Sequence, residues 1–123
     1  MKIQILPLVT GAQEATGLTV IIDVFRAFSL EAYMYASGAK KVIPVKTVED
    51  ALALKKENPS FILVGERKGI KVEGFDYGNS PSEFVGVDLS GKTLIHTTSA
   101  GVLGLASAVN ASQIVTGALV NAK

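Results

Sequence analysis

Five short runs of β-branched and apolar residues, separated by glycine turns and by stretches of helical period, constrain this chain more than any other feature. They fall at residues 18–25 (LTVIIDVF), 42–45 (VIPV), 61–67 (FILVGER), 93–99 (TLIHTTS) and 113–119 (QIVTGAL). Strands alternating with helices are the signature of βαβ units. The pattern predicts an α/β fold, a three-layer α/β/α arrangement around a mainly parallel sheet. The run at 18–25 is almost continuously apolar, as expected of a parallel strand covered on both faces. A further strand is expected at residues 2–8, ending near Pro7, followed by a loop over 11–17.

The helices show their own punctuation. From Ala27 the apolar residues fall into two rows, Ala27, Leu30 and Met34 beside Phe28, Ala32 and Tyr35, which predicts a helix buried on more than one side and ended by Gly38. Tyr33 and Tyr35 read as packing residues. Thr47 with Asp50 three residues on resembles a capping box, opening a helix that runs to about Asn58 before Pro59, with Val48, Ala51 and Leu52 inward and Glu49, Lys55 and Lys56 outward. Residues 100–110 read as a helix whose small residues Ala100, Gly104 and Ala108 allow close approach to a sheet. Between two strands lies a long glycine-rich connection, 69–92, in which Ser80, Pro81 and Glu83 have the spacing of a short capped helix.

Composition narrows the function classes. A chain of 123 residues, 48% hydrophobic and 19% charged, suits one domain over 1–123. With 12 basic and 11 acidic residues there is no global field to draw it onto nucleic acid or an anionic membrane, so any anion binding must be local. The absence of cysteine excludes a disulfide framework, a thiolate metal site and a thiol nucleophile. The opening MKIQILPLVTGAQ is too short and interrupted for a secretion signal, and no stretch approaches the ~18 apolar residues of a membrane span. The expected compartment is the cytoplasm. The apolar helix at 27–36 and the apolar segment 113–120 predict surface that another domain or subunit covers, and a homo-oligomer is expected.

If the strands are parallel, Asp23, Arg26, Glu66, Arg67, Thr97, Thr98 and Ser99 all fall at or just past carboxyl ends, the edge where open α/β sheets bind ligands. Each also has a plainer reading: Asp23 and Arg26 as an ion pair, Glu66 and Arg67 as ordinary strand-end charges, TTSAG (97–101) as a helix cap. The convergence of three strands on one rim favours a site. His96, inside an apolar strand, reads as a core residue.

Together these residues resemble a family. IDVFRA (22–27), GAKKVIPVKTVEDAL (38–52), VGERKGIKVEGFDYGNSPSEF (64–84), KTLIHTTSAG (92–101) and GALVNA (117–122) are similar to successive motifs of the 2-phosphosulfolactate phosphatases. The resemblance implies an α/β, magnesium-dependent enzyme that converts 2-phosphosulfolactate to sulfolactate and phosphate on a route to coenzyme M. It also implies that this chain is the amino-terminal portion of a longer one, and Ala100 stands where many members carry Asn. On this reading the ligand is a small, dense anion and needs a cation to offset it. Asp23 and Glu66 are the candidate Mg²⁺ ligands, with Asp76 a third. Arg26 and Arg67 would clamp phosphoryl or sulfonate oxygens bidentately, which lysine does less well. Asn79 and Ser80, with Thr97, Thr98, Ser99 and Gly101, would supply neutral donors. Direct attack by water and a phosphoenzyme both remain open. So do two other classes: a non-catalytic module that binds a phosphorylated or sulfonated metabolite, and a structural ion-pair network.

Overall fold

The computed structural model describes residues 1–123. Its elements run α1 (Leu8–Glu14), β1 (Gly17–Ile22), α2 (Ala27–Ala36), β2 (Lys41–Pro44), α3 (Val48–Glu57), β3 (Ile62–Arg67), β4 (Ile70–Lys71), a 3-10 turn (Pro81–Phe84), β5 (Thr93–Thr97), α4 (Gly101–Ser107), β6 (Ala111–Gly117) and a second 3-10 turn (Leu119–Asn121). This is an α/β fold with mainly parallel strands. The strands are divided, however, between a four-stranded sheet of order β2-β5-β3-β4 and a separate β1-β6 pair. Only the hairpin of β3 and β4 is antiparallel.

The four-stranded sheet is the middle of three layers because successive strand residues face opposite ways. Val64 and Leu94 pack against Leu30 and Met34 of α2, with Phe84 and Leu89 from the long connection completing that core. Leu63 and Ile95 face the other way and meet Ala51 of α3 together with Phe75. A third cluster joins Ala27 and Phe28 of α2 to Val102 of α4 and Ala118 after β6, so α2 and α4 link the four-stranded sheet to the β1-β6 pair. No helix is long and apolar enough to cross a membrane.

Helix ends behave as their sequences dictate. After α2 the amide of Gly38 bonds to the Tyr35 carbonyl and that of Ala39 to the Met34 carbonyl. This motif needs the positive φ of +97° that glycine alone adopts freely. Thr47 Oγ1 accepts from the Asp50 amide at 3.0 Å and donates to the Asp50 carboxylate at 2.6 Å, capping α3. Its inner face is Val48, Ala51 and Leu54. Leu52, about 100° further round from Ala51, is exposed instead of inward.

Four other expectations are corrected. Residues 1–7 form no strand, because no neighbouring strand offers them hydrogen bonds; Ile3 and Ile5 are exposed, and α1 begins at Leu8, the last residue of the expected strand, and runs into the expected loop as far as Glu14. Strand β1 stops at Ile22, since its partner β6 ends there in register at Gly117. Its residues Leu18, Val20 and Ile22 are exposed, so it is not covered on both faces. Tyr33 and Tyr35 are exposed, the Tyr35 hydroxyl accepting from the Val42 amide at 3.3 Å. The capping box at Ser80 does not form: Ser80 Oγ shares a hydrogen bond with Ser82 Oγ at 2.8 Å, and Glu83 accepts instead from the Gly78 amide at 3.0 Å.

Candidate functional site

Alternation along β3 and β5 decides which polar residues reach the site. Glu66 follows Val64 on the α2 side of the sheet and Thr98 continues the row of Leu94 and His96, so this acid and this hydroxyl share a face. Arg67 and Thr97 share the other. Glu66 is only 6% exposed and both of its oxygens are engaged. Oε1 accepts from the Ser99 amide at 2.7 Å; Oε2 accepts from the Gly69 amide at 2.7 Å and the Ser99 hydroxyl at 3.1 Å. The carboxylate thus ties the β3-β4 turn to the turn that leaves β5.

Asp23 enters from the other sheet. Its amide makes the last β1-β6 bond, to the Gly117 carbonyl at 3.1 Å, and its carboxylate lies against α4 so closely that a methyl on Gly101 would sit 2.3 Å from Oδ2. Arg26 stands at the N-cap of α2 with its side chain exposed. The one close contact between an acidic and a basic side chain is that of Glu31 Oε1 with His96 Nδ1, at 3.0 Å, so Asp23, Arg26 and Glu66 form no ion pair with one another. An ion-pair network is therefore not what holds these charges, although the Glu66 carboxylate is tied by hydrogen bonds.

Asp23, Arg26, Glu66, Asn79 and Thr98, with Phe25, Gly69 and Ala100, surround a cavity of about 170 Å³. The Asn79 side-chain oxygen is buried and has no hydrogen-bond partner, and Thr98 Oγ1 accepts from the Val102 amide at 3.0 Å. The remaining sequence candidates lie elsewhere. Arg67 is a brace: its guanidinium donates to the carbonyls of Glu66 (2.7 Å) and Lys46 (3.2 Å) and to Thr97 Oγ1 (2.8 Å). Ser99 and Gly101 support Glu66 and Asp23 from behind. Asp76 accepts from the Leu63 amide at 2.8 Å, three residues or ~10 Å along β3 from Glu66, so it is not brought to the cavity; nor is Ser80. Sequence reasoning missed Phe25, which is 88% exposed on the turn after β1; an aromatic between Asp23 and Arg26 was the available signal. His96 is fully buried, as expected of a core residue, with Nδ1 against Glu31.

No group of three or more His, Cys, Asp or Glu residues is arranged to hold a metal. The lining instead offers the Asp23 and Glu66 carboxylates with the side chains of Asn79 and Thr98, and the buried Asn79 oxygen is partnerless. Hard oxygens of that kind suit Mg²⁺, which takes few protein carboxylates and keeps several waters.

Burial is the largest influence on the Glu66 carboxyl and pushes it up, but the amides of Ser99 and Gly69, the Ser99 hydroxyl and the Arg67 charge together outweigh it. They hold the group below its ordinary 4.5. Because the folded value is depressed, the folded state binds fewer protons in that window. The resulting stability is complete above the unfolded value and is lost as pH falls through the folded one. Urea midpoints should therefore drop as pH is lowered past the ordinary carboxylate range, and drop less steeply in Glu66→Gln. Equal slopes for the two proteins would show that these hydrogen bonds do not favour the ionised form.

The fold and cavity define an α/β domain whose parallel strands deliver acids, an arginine and neutral polar groups to one small site at their carboxyl ends. The chain belongs to the 2-phosphosulpholactate phosphatase family, whose sequence model matches residues 5–123. It is 39% identical over 106 residues to a Bacillus subtilis protein and 46% identical over 104 residues to one from Carboxydothermus hydrogenoformans. A third, from Clostridium tetani, is 45% identical over 105 residues. Each carries the name "Probable 2-phosphosulfolactate phosphatase". The matches cover 85–86% of this chain but only 43–46% of those relatives, so the chain spans about half the length of the relatives it matches.

Proposed function

We propose that this chain builds the acid- and arginine-bearing part of a Mg²⁺-dependent phosphatase site that hydrolyses a phosphate monoester of a small organic acid. The substrate in the relatives' names, 2-phosphosulfolactate, would yield sulfolactate and phosphate. The observation that carries the reading is the small cavity that Asp23, Arg26 and Glu66 share without pairing with one another. At about 170 Å³ it lies below the ~300–1,000 Å³ of sites for drug-sized ligands, which favours a small anion over a nucleotide.

Asp23 and Asn79 Oδ1 would hold the cation, with Glu66 beside them keeping the two turns in place. The cation would supply charge neutralisation at the transferred phosphoryl group. Arg26 would fork onto phosphoryl or carboxylate oxygens, its planar guanidinium offering paired donors in the geometry such oxygens need. The reaction breaks the phosphate ester bond, adds the elements of water, and leaves the organic acid with a free hydroxyl. A ligand-binding module without turnover is the second reading, since much of a relative's polypeptide has no counterpart here.

One assay separates the two: phosphate release from 2-phosphosulfolactate and from simple monoesters with Mg²⁺, repeated with chelator. Turnover that chelator abolishes, slower in this chain than in a full-length relative, is the expected result. Tight ligand binding without release selects the module, and turnover unaffected by chelator overturns the metal assignment.

A further inference from the structure

A groove of about 360 Å³ runs along the outer face of the β1-β6 pair, lined by Val20, Ile22, Val115 and Leu119 among others. Ile22 is 71% exposed, Val20 53%, Val115 45% and Leu119 74%. The inner face of the same pair is occupied: Ile21 packs toward α4, a methyl on Gly104 lying 3.8 Å from Ile21 Cγ2. Parallel strands are almost always covered on both faces, and a lone strand pair is marginal in water. An apolar face of this kind, continuous over both strands and the following turn, marks a docking surface.

We infer that this face seats the polypeptide that makes up the rest of the family's longer chains, and that its docking completes the wall of the anion site. Two observations choose that occupant. The relatives match this chain over 43–46% of their own length, so about half of each lies outside what this chain supplies and must pack somewhere. The groove also borders the site directly: Ile22 lines the groove and the next residue, Asp23, lines the cavity, while the Asp23 amide is bonded to Gly117 at the groove's floor. Tethering in one chain keeps such a segment at high effective concentration, so the face need not be protected by charge. A second copy of this chain would cover the apolar residues without accounting for the relatives' extra length.

This chain has no cysteine, so Val20→Cys introduces a single thiol that reports the face. In the 123-residue chain it should react with a maleimide nearly as fast as a thiol in an unfolded peptide. In the intact Carboxydothermus hydrogenoformans relative, a cysteine at the aligned position should react at least about tenfold more slowly, as read by mass spectrometry of the labelled peptide. A glutamate at the position aligned with Ile22 should restore fast labelling, while a glutamate aligned with Leu52, on the exposed side of α3, should not. Equal labelling in the short and intact chains overturns the inference. So does protection already present in the short chain that its own dimerisation explains, because the occupant is then a second copy.

Discussion

Gly65→Ala is expected to lower the stability of this protein by about 3 kcal/mol, the upper end of what overpacking costs. The added methyl would lie 2.3 Å from the Thr97 carbonyl oxygen, 3.0 Å from Thr97 Cγ2 and 3.2 Å from the Phe75 ring. The nearest of these is backbone, so no rotamer change relieves it. Neither strand can withdraw. Gly65 is in register with Thr97 across the β3-β5 ladder, its amide bonds to the Tyr77 carbonyl at 3.1 Å, and its carbonyl accepts from the Val72 amide at 3.3 Å. Glu66 comes next, so the displacement should also loosen the two turns that its carboxylate joins. Gly104→Ala is the control. Its methyl meets only Ile21 at 3.8 Å, and inside α4 alanine should stabilise by about 0.5–1 kcal/mol. Urea midpoints of the two variants should move in opposite directions; a Gly65→Ala midpoint equal to wild type would mean that the ladder can open at this point.

Much of this arrangement was legible in the sequence because it is local. The α/β class, the capped helix from Thr47, the turn at Gly38 and the burial of His96 all follow from short patterns. The rim residues Asp23, Glu66 and Thr98 followed from the rule that ligands gather at carboxyl ends. What failed was of two kinds. Pairing between distant segments has no local signature, so the strand expected at 2–8 went wrong, the division of the strands between two sheets was not visible, and Asp76 could not be seen to cap the Leu63 amide. The other failure was avoidable. Adjacent strand residues point to opposite faces, so Glu66 with Arg67, or Thr97 with Thr98, could not all enter one cavity. Applied to the sequence, that rule would have parted Glu66 from Arg67 and Thr97 from Thr98; which of them share a face is set by the β3-β5 register, and Arg67 is found 2.8 Å from Thr97.

Asp23→Asn should reduce metal-dependent phosphate release by about a hundredfold or more while the fold survives, because it removes the charge and one acceptor oxygen but keeps the size of the side chain. The amide keeps the shape that fits against Gly101, and Asp23 has no ion pair whose loss would confuse the result. Gly101→Ala tests the same group from the opposite direction, keeping the charge and displacing it. The new methyl would lie 2.3 Å from Oδ2, 2.8 Å from Cβ and 2.9 Å from Cγ of Asp23, so the whole side chain must move. If the position of that carboxylate matters, the neutral and the displaced versions should fail alike. Calorimetric titration with Mg²⁺, with and without inorganic phosphate, provides a readout for chains too slow to assay, and both variants should lose the Mg²⁺ response. Arg26→Lys should instead keep Mg²⁺ binding and weaken phosphate, since an ammonium cannot fork onto two oxygens. Wild-type turnover and Mg²⁺ binding in Asp23→Asn would remove this residue from the site and overturn its assignment as the acid that holds the cation.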